Sequence, residues 1–145
     1  MKPFLSALVF AVTVFSMFAA ETNTAPTSAS IAPDSRCFEL RTYYAAPGKL
    51  EALNARFRDH TCALFKKHGM EIVGFWIPTN KEQGAENKLV YMLAHKSREA
   101  AKQSWKDFQG DPEWQKVRTE SEVDGKLTEK IESVFMAATD YSPLK

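Results

Sequence analysis

His60 is the residue of this sequence whose setting most readily suggests chemistry. It lies in RFRDHTCALFKKHG (56–69), three residues after Phe57 and four before Leu64, so helical spacing places it on an apolar stripe that faces a sheet. An imidazole in that position needs a hydrogen-bond partner. Two interpretations stay open: a core histidine bonded to a backbone carbonyl or strand side chain, or a donor or general base that lines a cavity.

Aromatic side chains are numerous enough to wall a pocket for a small ligand. Three tryptophans are many for a domain of this size, and each indole N–H needs an acceptor. The alternative is that these rings simply fill the core of a small domain, and it applies above all to Trp105. The residues that we predict to line a cavity between helices and sheet are His60, Trp76, Tyr91, His95, Trp105, Phe108 and Trp114.

Two of these residues have specific alternatives. His95 ends a predicted strand just before Ser97, the predicted N-cap of the next helix. It either meets an anion held by the free N–H groups of that helix or is a solvated residue at a strand end. Trp114 follows Asp111, a predicted cap, and either closes the cavity mouth or covers a dimer seam.

Glu39 and Arg41 are the charged pair of the first predicted strand, CFELRTYY (37–44). Residues two apart in a strand share one face. We expect both on the open face of the sheet, toward a second subunit, where buried charges require pairing. A cross-strand or cross-subunit ion pair is therefore predicted, with a catalytic role for Glu39 as the alternative.

Several kinds of site have no motif in the sequence. There is no CxxC, no HExxH, no nucleophile-elbow pattern, no phosphate-binding glycine loop and no dinucleotide fingerprint. We therefore expect neither a metal nor a cofactor. Lys and Arg number 19 and Asp and Glu 18, and Lys2 lies in the leader described below. The remaining chain is close to neutral, so nucleic acid is not an expected partner.

The elements that position these residues alternate in type along the chain. The pattern predicts a helix from Pro47 to His68, a helix from Ser97 that restarts at Asp111, and strands over 37–44, 71–78, 89–95 and 127–138. The order βαββαβ predicts an α+β, ferredoxin-like sandwich with a four-stranded antiparallel sheet. Helices cover one face of the sheet. The other face is of mixed polarity, which favours a homodimer.

The N-terminal 35 residues do not fit this domain. MKPFLSALVFAVTVFSMFAA (1–20) has the layout of a secretory signal peptide, so we expect export and no stable membrane insertion after cleavage; an uncleaved anchor is the alternative. Residues 21–35 are rich in Thr, Ser, Ala and Pro and are predicted to be a flexible spacer before a domain at 36–142. Export permits a disulfide between Cys37 and Cys62, which the sequence leaves open.

The sequence blocks ELRTY…PGK, H-T…F-x-K-H-G, V-G-F-W, S-R-E-A-A…S-W…F…D-P-E-W-Q and S-V-F-M together resemble the NIPSNAP family over residues 37–143. The resemblance implies a domain of the dimeric α/β-barrel superfamily, in which two sheets face each other. It implies no settled biochemical role. Members of that superfamily include cofactor-independent monooxygenases and small-molecule isomerases, which is an analogy of fold only.

Two functions remain as hypotheses. The first is an exported homodimeric domain that binds a small, partly apolar molecule or a protein partner. The second is a cofactor-independent enzyme, similar to a monooxygenase or isomerase, in which His60 acts as a base in the cavity between sheet and helices. Whether the protein is an enzyme is left open.

Overall fold

A four-stranded antiparallel sheet forms the centre of the domain, with helices on one face. The computed structural model describes residues 28–145, so the predicted signal peptide and residues 21–27 lie outside it. The strands are β1 (Cys37–Ala45), β2 (Glu71–Trp76), β3 (Lys88–His95) and β4 (Thr128–Ala137), in the order β2-β3-β1-β4. The predicted ferredoxin-like α+β fold is confirmed.

The first helical region ends at a glycine, as the sequence predicted, but begins later than expected. The first helical region comprises α1 (Leu50–Arg56), a π-helical turn (Phe57–Thr61) and α2 (Cys62–Lys67). It ends at Gly69, whose φ of 72° lies in the left-handed region that favours glycine. The predicted start at Pro47 is three residues too early.

The second helical region is split as predicted, into α3 (Arg98–Gly110) and α4 (Pro112–Ser121). The Ser97 hydroxyl accepts the Ala100 N–H at 3.1 Å and so caps α3. The Asp111 carboxylate accepts the Glu113 N–H at 2.8 Å, with Pro112 in the first turn of α4. Both predicted caps are confirmed, and after the break α4 packs against α3 and the first helical region.

The main core lies between these helices and the sheet. Odd-numbered residues of β1 and β3 point toward the helices, among them Tyr43 and Tyr91, which pack against Phe57 with ring centroids 5.5 and 5.2 Å away. Leu53, Phe65 and Leu93 complete the interior and are almost entirely buried. Each such side chain contributes about 1.5–3 kcal/mol when it leaves water.

The opposite face of the sheet carries a second, smaller apolar cluster. Phe38, Ala94 and Ala138 are buried there, and partly buried Val73, Met92 and Met136 pack against them. Val134 on β4 is 54% exposed. This face is covered by no helix of the described residues.

The second half of the predicted spacer contacts the domain. The Ala32 N–H donates to the Ala138 carbonyl at 2.9 Å, and the Asp140 N–H donates to the Ser30 carbonyl at 2.8 Å. Ala32 is only 3% exposed. Residues 30–32 of the predicted spacer are thus hydrogen-bonded through the backbone to the segment after β4, and composition carries no information about such pairing. Among residues 28–145, no helix is both long and apolar enough to span a bilayer.

Candidate ligand-binding site

The Glu39 carboxylate is buried and accepts hydrogen bonds from four side chains. It is 1% exposed. Its Oε1 accepts from Arg41 Nη1 and Ser133 Oγ, each at 2.7 Å, and its Oε2 accepts from Trp105 Nε1 at 2.6 Å. His95 Nε2 lies 3.2 Å from Oε2; because a carboxylate only accepts, that nitrogen carries the proton.

These contacts decide the charge of Glu39. Burial alone would raise its pKa, but the hydrogen bonds from His95, Ser133, Trp105 and Arg41 together lower it to about 2. The carboxylate is therefore charged at neutral pH. It ties three strands and α3 together, because its donors come from β1, β3, β4 and the middle of α3.

The structure corrects the predicted positions of Glu39 and Arg41. They lie on the helix-covered face, since their contacts are with Trp105 of α3 and, within β1, with each other. Period-two alternation did place them on one face, as predicted. The error was to place this pair on the open face of the sheet. A carboxylate can be buried under the helices here because four donors satisfy it, and alternation in one strand does not reveal those donors.

A cavity of about 550 Å³ opens beside this cluster, between β1 and β4 on one side and α3 and α4 on the other. Its aromatic wall is continuous: Phe108 and Trp114 have ring centroids 4.5 Å apart, and Trp105 meets Phe108 edge-on at 5.6 Å. Its remaining lining residues are Arg41, Tyr43, Arg56, Gln109, Gln115, Arg118, Glu122, Lys126, Thr128 and Ile131.

Cations on the cavity wall lie over its rings. The Arg41 guanidinium carbon is 4.1 Å from the ring centroid of Trp105, and that of Arg56 is 5.3 Å from Trp114. Arg56 Nη1 also donates to Glu122 Oε1 at 3.0 Å. The wall thus combines aromatic surface with fixed positive charge, a composition that orients a small ligand.

His60 does not take part in this site, and the prediction that it faces the sheet is wrong. Its side chain is exposed, in a shallow groove beside α4. The reason is the π-helical turn, in which the Cys62 N–H donates to the Phe57 carbonyl five residues earlier. The extra residue in the turn rotates His60 away from the core and gives its place to Thr61, which is 1% exposed.

The other predicted cavity residues fall into three groups. Trp105, Phe108 and Trp114 do line one cavity. Tyr91 lies within the core and is 0% exposed, where burial raises the pKa of its phenol well above 10. Trp76 is on the other side of the domain: it is 51% exposed and lines a separate groove with Phe57 and Phe75.

His95 is neither solvated nor at an anion site, the two alternatives derived from its position. It is 2% exposed and points into the Glu39 cluster. Its Nδ1 has no hydrogen-bond partner among residues 28–145. The ring therefore serves chiefly to hold the Glu39 carboxylate, from behind the cavity wall.

Sequence reasoning missed the charged residues of the site, above all Arg56. It lies three residues after Leu53 on the apolar stripe of α1 and is 6% exposed. A charged residue on such a stripe is a usable indication of a buried polar contact. Arg118 and Glu122, four residues apart, look like an ordinary surface pair, and nothing in their spacing indicates a cavity.

The two cysteines are not bonded to each other, and burial raises the pKa of both thiols. Within the described part of the chain, no group of three or more His, Cys, Asp or Glu side chains is arranged to hold a metal ion.

Comparison with known proteins identifies relatives. The NIPSNAP family model matches residues 38–143. A NIPSNAP family protein of unknown function from Agrobacterium tumefaciens is 24% identical, with a TM-score of 0.69 over 80% of this chain and 99% of that one. An uncharacterised NIPSNAP domain protein from Burkholderia xenovorans is 22% identical, with a TM-score of 0.62 over 74% and 98%.

A more distant structure shares the fold alone. It is a monooxygenase of Streptomyces coelicolor, solved in complex with nanaomycin D, and it is 13% identical with a TM-score of 0.50 over 79% of this chain and 96% of that one. No curated protein sequence matches the chain.

Proposed function

The chain belongs to the NIPSNAP family, and from that starting point we propose that it is an exported homodimer that binds a small, partly apolar molecule between its sheet and helices α3 and α4. The proposal covers three separate points: the cavity as a ligand site, the open sheet face as the subunit interface, and export. Each point has its own support.

The observation that carries the ligand site is the aromatic cavity itself. Its volume of about 550 Å³ is of the size that small-molecule sites have, 300–1,000 Å³ as an order of magnitude. One wall is aromatic, formed by Trp105, Phe108 and Trp114, and the hydrogen-bonded cluster around Glu39 holds Trp105 in that wall from behind. A site built on helices and strands of a packed domain is held in one geometry before its ligand arrives.

The open sheet face supports the homodimer. Partly buried Val73, Met92 and Met136 form an apolar surface around buried Phe38 on the face opposite the helices, and exposed Val134 extends it. A sheet face of this composition gains free energy when a second sheet covers it. Export is supported by the leader 1–20, whose residues lie outside the described structure.

An enzymatic role is the second candidate, and one observation favours it. The buried His95–Glu39 pair has an imidazole held by a charged carboxylate, an arrangement that catalytic bases use. The distant monooxygenase shares the fold, which gives no information about residues. His95 does not line the cavity, so we rank catalysis below binding. His60, which is exposed and outside the cavity, has no part in this alternative.

The test is to identify what the protein carries when it is isolated. Mature protein is purified from its own host, measured by native mass spectrometry, and measured again after denaturation. We expect an extra mass that is lost on denaturation in the wild type and in Trp76→Ala, and that is absent or strongly reduced in Trp114→Ala. Both variants lose one tryptophan, but only Trp114 lines the cavity.

Two outcomes would count against the proposal. If the extra mass persists in Trp114→Ala and disappears in Trp76→Ala, the ligand site is the groove beside β2 instead. The other outcome is that neither the wild type nor a variant carries a ligand, while the wild type turns over a substrate from a test panel. If His95→Asn abolishes that turnover, the enzymatic candidate replaces binding.

A further inference from the structure

The positive charge around the cavity exceeds what the protein itself neutralises. Among the lining residues, four are cationic and only Glu122 is anionic; the cations are Arg41, Arg56, Arg118 and Lys126. They come from β1, from α1, from α4 and from the loop before β4, so four separate elements direct cations to one cavity.

The carboxylates nearby are already shared. Glu122 accepts from Arg56 at 3.0 Å and lies 3.7 Å from Arg118 Nε, so one carboxylate serves two guanidinium groups. Glu39 neutralises Arg41 from behind the wall at 2.7 Å. With both carboxylates counted, the four cations of the lining still exceed the anions by two.

Polar atoms without a partner also lie buried directly behind the cavity wall. The Arg56 side chain is 5% exposed, yet its Nε has no acceptor among residues 28–145, and Arg41 Nε and Thr128 Oγ1 are likewise buried without a partner among them. Unpaired buried polar atoms are costly and uncommon in folded proteins. All three residues line this one cavity.

The ring faces do not call for a cationic ligand. A cation is the usual partner of an exposed aromatic face. Here the faces of Trp105 and Trp114 already have Arg41 at 4.1 Å and Arg56 at 5.3 Å. A cationic ligand would add repulsion to a wall whose aromatic faces are already paired.

Building on the proposed function, we propose that the cavity ligand is an aromatic carboxylate: its ring lies against the half-buried rings of Trp105 and Trp114, and its carboxylate meets Arg56, Arg118 and Lys126. A guanidinium presents donors in a planar fork that matches a carboxylate, which is why the planar acid is the preferred class. The apolar wall selects for the ring, and the charged rim selects for the acid.

The test compares two small molecules of the same shape. Indole-3-acetate carries the carboxylate, and indole-3-acetamide replaces it by a neutral amide. The readout is the set of three side-chain indole N–H signals of the labelled protein in ¹H–¹⁵N spectra, where Trp105 and Trp114 report on the cavity and Trp76 reports on the groove beside β2. Both molecules are titrated into the intact mature protein.

We expect indole-3-acetate to shift the Trp105 and Trp114 signals with a dissociation constant about fivefold or more below that of the amide. The double variant R118Q/K126Q is expected to abolish this preference, so that acid and amide bind it with similar affinity. The matched control is K116Q: Lys116 lies on α4 as Arg118 does and also pairs with a carboxylate four residues later, but it does not line the cavity.

Each contrary result has a distinct meaning. If acid and amide bind the cavity equally, or if K116Q weakens the acid as much as R118Q/K126Q does, the assignment of an anionic ligand is wrong while the ligand site survives. If neither molecule moves the Trp105 and Trp114 signals at millimolar concentration, the cavity itself is not a site for ligands of this class, and the proposal of a ligand site loses its support with it.

Discussion

At the scale of single residues, the geometry of the cavity wall depends on the hydrogen bonds that the buried Glu39 carboxylate accepts. Glu39 is buried among four donors from β1, β3, β4 and α3. Removing one partner of a buried charged pair leaves the other without compensation, which is why such clusters tolerate little change. The cluster fixes Arg41 and Trp105, and these two side chains form part of the cavity wall.

The first prediction concerns Glu39 and acid. Its pKa in the folded protein is about 2, below the ordinary value of 4.5, so the stability it contributes is present above pH 4.5 and is lost as pH falls toward 2. By linkage the loss is up to about 3 kcal/mol. In Glu39→Gln we expect a protein less stable at pH 7 by about 3 kcal/mol.

The measurement is urea unfolding at pH 7 and at pH 3. The difference between wild type and Glu39→Gln should shrink as the pH is lowered, because the wild type loses its advantage. Comparing the two proteins removes the contribution of other carboxylates, which both share. Exposed Glu129→Gln serves as the control and should track the wild type. A constant difference between wild type and Glu39→Gln at both pH values would refute the low pKa.

The second prediction concerns the shortest contact of the cluster, from Trp105 Nε1 to Glu39 at 2.6 Å. Trp105→Phe keeps an aromatic ring but removes this donor, so we expect a loss of about 1.5–3 kcal/mol, the range for hydrogen bonds to charged groups. Trp76→Phe is the matched control, because Trp76 is half exposed, and it should cost much less. Equal losses in chemical denaturation would mean that ring volume, not the hydrogen bond, matters.

At the scale of elements, the strands and caps were predictable and the helix register was not. Alternation predicted β1, and short apolar runs bounded by turn residues predicted the other strands. Helix ends were marked by local chemistry at Ser97, Pro112 and Gly69. The π-helical turn has no such mark. Its extra residue displaced His60 from the core, and reasoning from a regular helical period could not detect it.

The site could be predicted only in part for a similar reason. The aromatic wall of Trp105, Phe108 and Trp114 followed from composition and spacing, because large rings near a helix–sheet boundary have few other places to go. The face on which Glu39 lies depends on donors of which three are 56 to 94 residues away in sequence. No local pattern encodes contacts of that kind.

The third prediction tests the π-helical turn. Deleting Asp59 removes one residue from the turn and should leave a regular α-helix, with Phe57 and Leu64 still facing the core, so the protein should fold with a modest loss. Deleting exposed Ala63 from the regular part of α2 should rotate Leu64 and Phe65 off the core and cost about 3 kcal/mol or more.

Thermal unfolding followed by circular dichroism measures both deletions. Asp59 and Ala63 are both exposed, so neither deletion removes a core side chain itself. A deletion of Asp59 that is as damaging as that of Ala63 would show that the wide turn is needed for the fold.

At the scale of the whole molecule, the domain has two different surfaces that could bind a partner. One is the cavity under α3 and α4, and the other is the open sheet face around Phe38, Met92 and Met136. They lie on opposite sides of one sheet, so a subunit interface on the open face leaves the cavity accessible.

The fourth prediction tests that interface. Val134 on the open face and Val123 in the loop after α4 are both strongly exposed, at 54% and 76%. Val134→Glu should place a charge in the proposed interface and convert the dimer to a monomer without unfolding it, whereas Val123→Glu should remain dimeric. Light scattering coupled to size-exclusion chromatography gives both masses. A wild type that is monomeric throughout the micromolar range would refute the dimer.

The most direct test of the ligand site is a crystal structure of the mature protein purified from its own host with no ligand added. We predict an open cavity of about 550 Å³ between the sheet and α3 and α4, with continuous density for one molecule against Trp105 and Trp114 beside Arg56. A cavity closed by the side chains of Trp114 and Arg118, or one that holds only solvent, would contradict it.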